Sequence, residues 1–359
     1  MYLAVPDKYR KLNDEELRQL ILDARRDYGK RLVILAHHYQ RMEVARLGDF
    51  IGDSYDLSKR AAEQKEAEHI VFCGVHFMAE SAEILSGDNQ SVYLPNPLAG
   101  CPMADMADIN DVMTAWEHLK DLGIAEKTIP LSYMNSAAKL KAFCGREGGL
   151  VCTSSNAKAA YEWVYKRSEK LFFFPDENLG YNVGRWLGIP DEEIVIWNFR
   201  DSEGGIDPER LKKARLILWK GHCHVHTNFK THHIDEVREK YPGVKIVVHP
   251  ECRWDVVSRA DAYGSTKFIV DYIDKQPSGA IIAVGTEINL INRMAHQYPD
   301  KKIFELSGQT CPVCANMYRT TLADLANTVE NLGTFDKIRL DEKIKIDARL
   351  ALQRMLEVY

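Results

Sequence analysis

Several features of common protein classes are missing from this 359-residue sequence. No apolar run approaches the roughly 20 residues that a membrane-spanning helix needs. The first residues, "MYLAVPDKYRKLNDEEL", contain no apolar core typical of a signal peptide. The 47 basic and 52 acidic residues leave a net charge of −5, and no basic tract indicates nucleic-acid binding. We therefore expect a cytoplasmic protein that binds neither membranes nor nucleic acid.

Motifs for nucleotide cofactors are also missing. No GxGxxG or P-loop follows a predicted strand and opens a helix, so no nucleotide cofactor is indicated. In the cytoplasm, cysteines are expected to be reduced, which favours metal binding or catalysis over disulfides. The eight cysteines are Cys73, Cys101, Cys144, Cys152, Cys223, Cys252, Cys311 and Cys314. Only one CxxC pair occurs among them, whereas a closed zinc site often uses two such pairs.

What the sequence does contain is one pattern in three copies. The copies begin at "RLVILAHHYQ", "TIPLSYMNS" and "KIVVHPECRW" and close at "GCPMAD", "GHCHVH" and "TCPVC". His37 lies 64 residues before Cys101. His249 lies 65 residues before Cys314. The middle copy, which closes on Cys223, is longer and has extra residues around "WNFRDSEGGIDPER".

The pattern predicts an α/β fold. Short runs of Val, Ile, Leu and Phe that alternate with helical stretches are typical of βαβ units with buried parallel sheets. We predict three homologous three-layer α/β domains with short parallel sheets, over residues 28–112, 113–234 and 235–330. The flanking segments 1–27 and 331–359 are predicted to be helical, and the second to pack back on the body.

Each copy closes on a cysteine after a predicted strand. Ligands of open α/β sheets bind beyond the carboxyl ends of the strands. If the three domains turn these ends toward one point, three thiolates converge, which suits zinc or an iron–sulfur cluster. A four-iron cluster with three thiolates leaves one iron open to act as a Lewis acid when a hydroxyl leaves as water. The alternative is that these cysteines occupy equivalent buried positions.

Hydroxyl side chains recur near predicted helix starts. Ser54, Ser154 and Ser265 lie in "GDS", "TSSN" and "GST", at matching places in the three copies. Helix N-termini bind phosphate and carboxylate groups, so an anionic substrate is indicated. The alternative is that these residues cap their helices.

Other polar residues at strand ends could move or orient protons. These candidates are His37, Tyr39, Tyr133, Asn135, His249 and Glu251. The histidines at 222, 224 and 226 alternate in "GHCHVH" and are predicted to share one strand face. A zinc patch would use such a face, but a solvated strand end is the favoured interpretation because a metal also needs convergent partners.

Taken together, these stretches resemble the quinolinate synthase family, the A-protein iron–sulfur enzymes of NAD biosynthesis. The resemblance covers almost the whole chain. It rests on "LAHHYQ", "GDSYDLS", "VFCGVHFMAESA", "PNPLAGCPMAD", "YMNSAAKLKA", "VCTSSNA", "HPECRWDVV", "AYGSTKF", "GTEINLI" and "CANMYRTTL". One departure is His38, where Asn is commoner in the family motif.

The resemblance implies three α/β domains around a pseudo-threefold axis, with one [4Fe-4S] cluster per chain. It implies condensation of iminoaspartate with dihydroxyacetone phosphate to give quinolinate, phosphate and water. L-aspartate oxidase or another source of iminoaspartate would be a partner. The implied cluster ligands are Cys101, Cys223 and Cys314, and the implied catalytic residues are Tyr39, Glu251 and His37. The implied substrate-binding residues are His37, Ser54, Phe77, Tyr133, Asn135, Ser154, His249, Glu251, Ser265 and Thr266.

The third cluster ligand needs its own argument. Cys314 matches the spacing of the first copy more closely than Cys311, which lies 62 residues after His249. We therefore expect Cys314 to bind the cluster, and Cys311 to pair with it only when the cluster is absent. Two other functions stay open. One is a zinc-dependent aldolase or hydrolase, and the other is a non-catalytic iron–sulfur or redox carrier that uses the CPVC pair.

Overall fold

The structure is a computed structural model that describes residues 5–308 and 310–358. Residues 1–4 and 359 of the predicted terminal segments, and residue 309 of the third predicted domain, lie outside the described residues. The strands are β1 (Leu32–His37), β2 (Phe50–Gly52), β3 (His69–Cys73), β4 (Ser91–Tyr93), β5 (Thr128–Tyr133), β6 (Leu150–Cys152), β7 (Lys170–Phe174), β8 (Ile194–Trp197), β9 (Leu216–Trp219), β10 (Lys245–Val248), β11 (Ala262–Tyr263), β12 (Ile281–Gly285) and β13 (Lys302–Glu305).

Helices follow most of the strands. They are α1 (Asp7–Arg10), α2 (Asp14–Tyr28), α3 (Met42–Ala45), α4 (Ser54–Glu63), α5 (His76–Leu85), α6 (Pro102–Asp105), α7 (Ile109–Asp121), α8 (Ala138–Arg146), α9 (Ala157–Tyr165), α10 (Glu177–Trp186), α11 (Pro208–Lys213), α12 (His224–Thr227), α13 (Thr231–Lys240), α14 (Trp254–Val257), α15 (Thr266–Asp274), α16 (Ile288–Gln297), α17 (Leu322–Glu330) and α18 (Glu342–Glu357). None of these helices combines the length and the apolar character that crossing a bilayer requires.

The strands form three parallel sheets, which confirms the predicted α/β class. The first sheet has the order β2-β1-β3-β4 and the third has the matching order β11-β10-β12-β13. The middle sheet, β6-β5-β7-β9-β8, repeats this order and adds β8 at its edge. The extra residues of the middle copy therefore form this added strand and helix α11. The domain boundaries at 112, 234 and 330 stay a prediction.

By packing, the described residues divide into two compact units. The first unit comprises the described residues up to Cys101, together with Glu287–Arg293 and Val313–Asp341. It contains the first sheet and the helices α2 and α17, which bury apolar side chains against β1 and β3. Helix α2 begins with a reciprocal cap, in which Asn13 and Glu16 each accept the other's backbone N–H.

The second unit contains the middle and third sheets and the C-terminal helix. It comprises the described residues of Pro102–Thr286, Met294–Pro312 and the chain from Glu342 onward. The predicted packing of the tail is confirmed within this unit. A side chain at Gly145 in α8 would come within 1.9 Å of the carbonyl oxygen of Asp347 in α18, so the two backbones touch. The Asn156 amide donates to the carbonyl oxygens of Met355 and Val358, at 3.2 and 3.0 Å.

Candidate active site and metal-binding residues

The first and third sheets end their leading strands in the same turn. After β1, the backbone N–H of Tyr39 donates to Nδ1 of His37 at 3.1 Å. After β10, the N–H of Glu251 donates to Nδ1 of His249 at 3.3 Å. In both turns, the N–H three residues after the histidine donates to the histidine carbonyl oxygen at 3.0 Å. Each turn therefore orients one imidazole ring and presents the side chain two residues later.

In both copies an aspartate directly before the second strand hydrogen-bonds to the leading strand. Asp49, directly before β2, accepts the N–H of Ile34 at 2.8 Å and donates its own N–H to the Ile34 carbonyl oxygen at 2.8 Å. Asp261, directly before β11, makes the same two bonds to Ile246, at 2.8 and 2.9 Å. The repeat seen in the sequence thus extends to individual hydrogen bonds.

Glu251 lies in a buried polar cluster of the second unit. Its side chain is only 4% exposed. The Tyr133 hydroxyl, at the end of β5, donates to Oε1 at 2.6 Å. Nδ1 of His226, in α12, lies 2.9 Å from Oε2, and the His226 ring stacks on the His249 ring at 4.4 Å between centroids. The structure therefore brings together predicted residues from the middle and third copies, with His226 added.

The electrostatics of this cluster keep Glu251 ionised. Burial by itself raises the pKa of Glu251, but positive charge on His226 and His249 and the hydrogen bonds from His226 and Tyr133 outweigh it and lower the pKa. Burial, and then the negative charge of Glu251, raise the pKa of the Tyr133 hydroxyl. The pair is thus an ionised carboxylate held in place by hydrogen bonds and a phenol that stays a donor.

His226 also corrects the prediction for "GHCHVH". The three histidines do not share a strand face, because helix α12 begins at His224, directly after Cys223. Helical geometry turns His226 inward, where it is buried, and leaves His224 exposed. One ligand atom each of Cys223, His226 and Glu251 lies within 4.8 Å of the other two.

The eight cysteines fall into three groups by burial. Cys101, Cys223 and Cys314 are half-buried, and Cys311 is exposed. The others are fully buried, and burial raises their thiol pKa, which makes them inert. They are Cys73, Cys144, Cys152 and Cys252. The alternative that the copy-closing cysteines are simply interior residues is disfavoured by this difference.

Glu287, in "GTEINLI", is a site residue that sequence reasoning did not single out. It is fully buried in the first unit, and its carboxyl accepts the backbone N–H of Asn289 at 2.8 Å and of Cys314 at 3.3 Å. Burial raises the pKa of Glu287 to about 8, although these hydrogen bonds oppose the rise. An acidic residue directly before helix α16 was the available signal. The unusual His38 is held nearby, with Nδ1 2.6 Å from Nη2 of Arg293.

The three predicted hydroxyl sites differ from one another. Ser54 opens α4, but Asp53 caps this helix by accepting two backbone N–H groups at 3.0 Å. Ser154 lies three residues before α9 and is half-buried. Ser265 does cap its helix, since it accepts the Phe268 N–H at 3.3 Å. Ser265 therefore caps its helix and the other two hydroxyls do not.

The other predicted substrate residues also lie at the ends of elements. Phe77 is the second residue of α5 and is buried. Asn135 lies two residues after β5 and is half-buried. Thr266 is the first residue of α15 and is buried. Their direct roles toward a ligand stay predictions.

An α/β protein with a buried carboxylate–histidine cluster and half-buried cysteines in the segments that follow its strands has the groups of an acid–base, metal-binding enzyme. Comparison with known proteins is specific. Residues 20–357 match the family described as Quinolinate synthetase A protein. The chain is 49% identical over 358 residues to a protein named Quinolinate synthase from Acidobacterium capsulatum, with 98% of this chain and 95% of that protein covered.

Two further relatives carry the same name. The protein from Halalkalibacterium halodurans is 47% identical over 356 residues, with 98% of this chain and 96% of that protein covered. The protein from Corynebacterium glutamicum is 46% identical over 357 residues, with 99% and 90% covered. The chain therefore belongs to the quinolinate synthetase A protein family, which confirms the resemblance and the prediction of an enzyme.

Proposed function

We propose that this chain is a quinolinate synthase of de novo NAD biosynthesis. It condenses iminoaspartate with dihydroxyacetone phosphate and releases quinolinate, phosphate and water. The observation that carries the proposal is the buried, ionised Glu251 between the Tyr133 hydroxyl and the His226 ring, at the carboxyl end of β10. A condensation with two eliminations must remove several protons from carbon and nitrogen, and a fixed carboxylate base does this.

Glu251 is the proposed general base. Nδ1 of His226 lies 2.9 Å from Oε2 of Glu251 and holds that oxygen in place. Tyr133 donates to Oε1 and holds the carboxylate in one orientation. His249 is oriented by its own turn and stacks on His226. These contacts fix the base before substrate arrives, which is what efficient proton transfer needs.

Tyr39 is the proposed second proton-transfer group, with His37 as its neighbour. The two rings meet edge to face at 4.7 Å between centroids. His37 is buried at the end of β1, and Tyr39 is half-buried and thus reachable from solvent. Ser54, Phe77, Asn135, Ser154, Ser265 and Thr266 are the proposed substrate-binding residues, and the two substrates together bring one phosphate and two carboxylates for them.

The chemistry of the cysteines fits a [4Fe-4S] cluster. Cys101, Cys223 and Cys314 would hold it, because thiolates are the usual ligands of such clusters and these three thiols are half-buried. A cluster with three protein ligands supplies one iron without a protein ligand, which has Lewis-acid character toward substrate oxygens. The exposure of Cys311, and the Glu287 hydrogen bond at the backbone of Cys314, support Cys314 as the ligand.

Iminoaspartate must come from another enzyme. Imines hydrolyse in water, so a source such as L-aspartate oxidase acting in the same compartment is the proposed partner, and the cytoplasm is the proposed location.

The test is turnover of the anaerobically reconstituted full chain. We expect about four irons per chain and formation of quinolinate from the two substrates. Cys314→Ser should lose both iron and activity, and the matched variant Cys311→Ser should keep both. The reverse result would reassign the ligand to Cys311. Zinc without iron after reconstitution would favour an aldolase or hydrolase, and iron without turnover would favour a carrier.

A further inference from the structure

Three side chains in the cluster around Glu251 could together bind a metal ion, and all three belong to the second unit. Cys223 precedes α12, His226 lies within it and Glu251 follows β10. Their ligand atoms, one from each residue, lie within 4.8 Å of one another. Donors bonded to one zinc ion at about 2.0–2.3 Å lie between 3 and 4 Å apart, so small side-chain shifts would close them around an ion.

The outer contacts of these donors are those of a metal site. The far nitrogen of His226, Nε2, lies 3.3 Å from Oγ1 of Thr286. The second oxygen of Glu251 accepts the Tyr133 hydroxyl at 2.6 Å. Metal-binding histidines and carboxylates are typically oriented by such partners on the atom that does not face the metal. Nδ1 of His226 and Oε2 of Glu251 lie 2.9 Å apart, so both atoms are directed to one place and need to separate only slightly to bind one ion.

We propose that Cys223, His226 and Glu251 form a binding site for a divalent transition metal of the zinc type. A thiolate, an imidazole and a carboxylate together suit zinc or cobalt and are poor ligands for Mg²⁺ or Ca²⁺, which prefer oxygen alone. Three protein donors leave a fourth position for water. Binding needs the thiolate form of Cys223 and an unprotonated donor atom on His226 and on Glu251, so affinity should fall as the pH is lowered.

The site has a consequence for assembly that rests on the proposed function. Cys223 is also the proposed cluster ligand from the middle copy. One thiolate cannot complete both sites, so zinc bound here and the cluster exclude each other. Zinc would then hold the chain in an inactive form until it is removed.

Cobalt titration of the iron-free full chain tests the site. Co²⁺ is the probe because thiolate and tetrahedral ligation give it distinct absorption bands. The background is Cys311→Ser, since the exposed thiol of Cys311 could bind metal by itself. We expect one Co²⁺ per chain with a thiolate charge-transfer band. Cys223→Ser should remove that band, and His226→Ala should weaken binding by more than a hundredfold.

Matched controls separate this site from other modes of binding. His224→Ala changes the exposed neighbour of His226 on the same helix and should leave the cobalt affinity unchanged. Thr286→Val removes an outer partner and should weaken binding by about 10–100-fold. Cys101→Ser and Cys314→Ser should bind Co²⁺ as the background does. Loss of the band in these two variants, or full affinity in His226→Ala, would overturn the proposal.

A second measurement tests separately whether the zinc site and the proposed [4Fe-4S] cluster share Cys223. The chain loaded with one Zn²⁺ is reconstituted anaerobically with iron and sulfide, and cluster absorbance is followed. We expect no cluster until a chelator removes the zinc. If cluster forms with zinc retained, the sharing of Cys223 is wrong. The cobalt titration by itself still decides whether the three-donor site exists.

Discussion

The turns after β1 and β10 have one backbone geometry and two different chemistries. His37 and His249 accept the same hydrogen bond from the residue two positions later, at 3.1 and 3.3 Å. In the first copy that residue is Tyr39, which is half-buried. In the third copy it is Glu251, whose side chain is only 4% exposed.

The surroundings of the two turns explain the difference. The Tyr39 carbonyl oxygen accepts the Asn289 amide at 3.4 Å, so the first turn is tied to helix α16 through its backbone. The turn after β10 is instead held by the side chain of Glu251, because Tyr133 and His226 both contact its carboxylate. The shared turn geometry thus sets the position of the side chain two residues after the histidine. The residues that contact this side chain differ between the copies, and they determine its charge and its role.

The largest expected effect on turnover comes from Glu251, in the turn after β10. Glu251→Gln keeps the shape and the Tyr133 hydrogen bond but cannot accept a proton. We expect quinolinate formation to fall by about 10²–10⁴-fold, the usual contribution of general acid–base catalysis. Iron content and melting temperature serve as controls and should be close to those of the parent protein. Near-normal turnover would remove Glu251 from proton transfer.

A smaller loss is expected at the first turn. Tyr39→Phe removes only the hydroxyl, and the ring contact with His37 at 4.7 Å can be kept. We expect turnover to fall by about a hundredfold, the lower end of the same range, because water can partly replace a solvent-reachable hydroxyl. Steady-state rates of both variants at one pH give the comparison. A greater loss in Tyr39→Phe than in Glu251→Gln would reverse the assignment of the main group.

A smaller effect, on stability, is expected from the equivalent aspartates Asp49 and Asp261. Asp49→Ala and Asp261→Ala each remove the acceptor of one strand N–H, so each should lower the free energy of unfolding by about 1–2 kcal/mol. Asp49 also makes a close ion pair with Arg25, whereas Asp261 lies 3.6 Å from Arg238. We therefore expect Asp49→Ala to cost up to about 1 kcal/mol more. Urea unfolding of both variants measures this, and unequal effects in the opposite order would contradict it.

The smallest effects separate capping from binding. Ser265→Ala should lower the free energy of unfolding by about 1 kcal/mol, because Ser265 caps α15. Ser154→Ala, in the equivalent place of the middle copy, caps no helix and should change apparent substrate affinity more than stability. Denaturant unfolding and substrate titration of both variants provide the check. A stability loss in Ser154→Ala equal to that in Ser265→Ala would make both residues structural.

Much of the molecule follows from local sequence pattern. The apolar runs at 32–37, 128–133 and 245–248 predict the leading strands of the three sheets, because strand and helix formation respond to the spacing of apolar residues along the chain. The longer middle copy predicts added structure, which is β8 and α11. The motifs predict the family, since many short matches in one order are specific.

Only the tertiary structure decided which of the polar residues work together. Nothing in "GHCHVH" indicates that a helix begins at His224, and the alternating histidines favoured a strand. Once the helix forms, His226 turns inward and meets Glu251, 25 residues further along the chain. Glu287 likewise becomes a candidate site residue only because its carboxyl accepts the backbone N–H of Cys314, 27 residues away. Burial and proximity between distant segments depend on how whole elements pack, and the spacing of residues within one element carries no information about that packing.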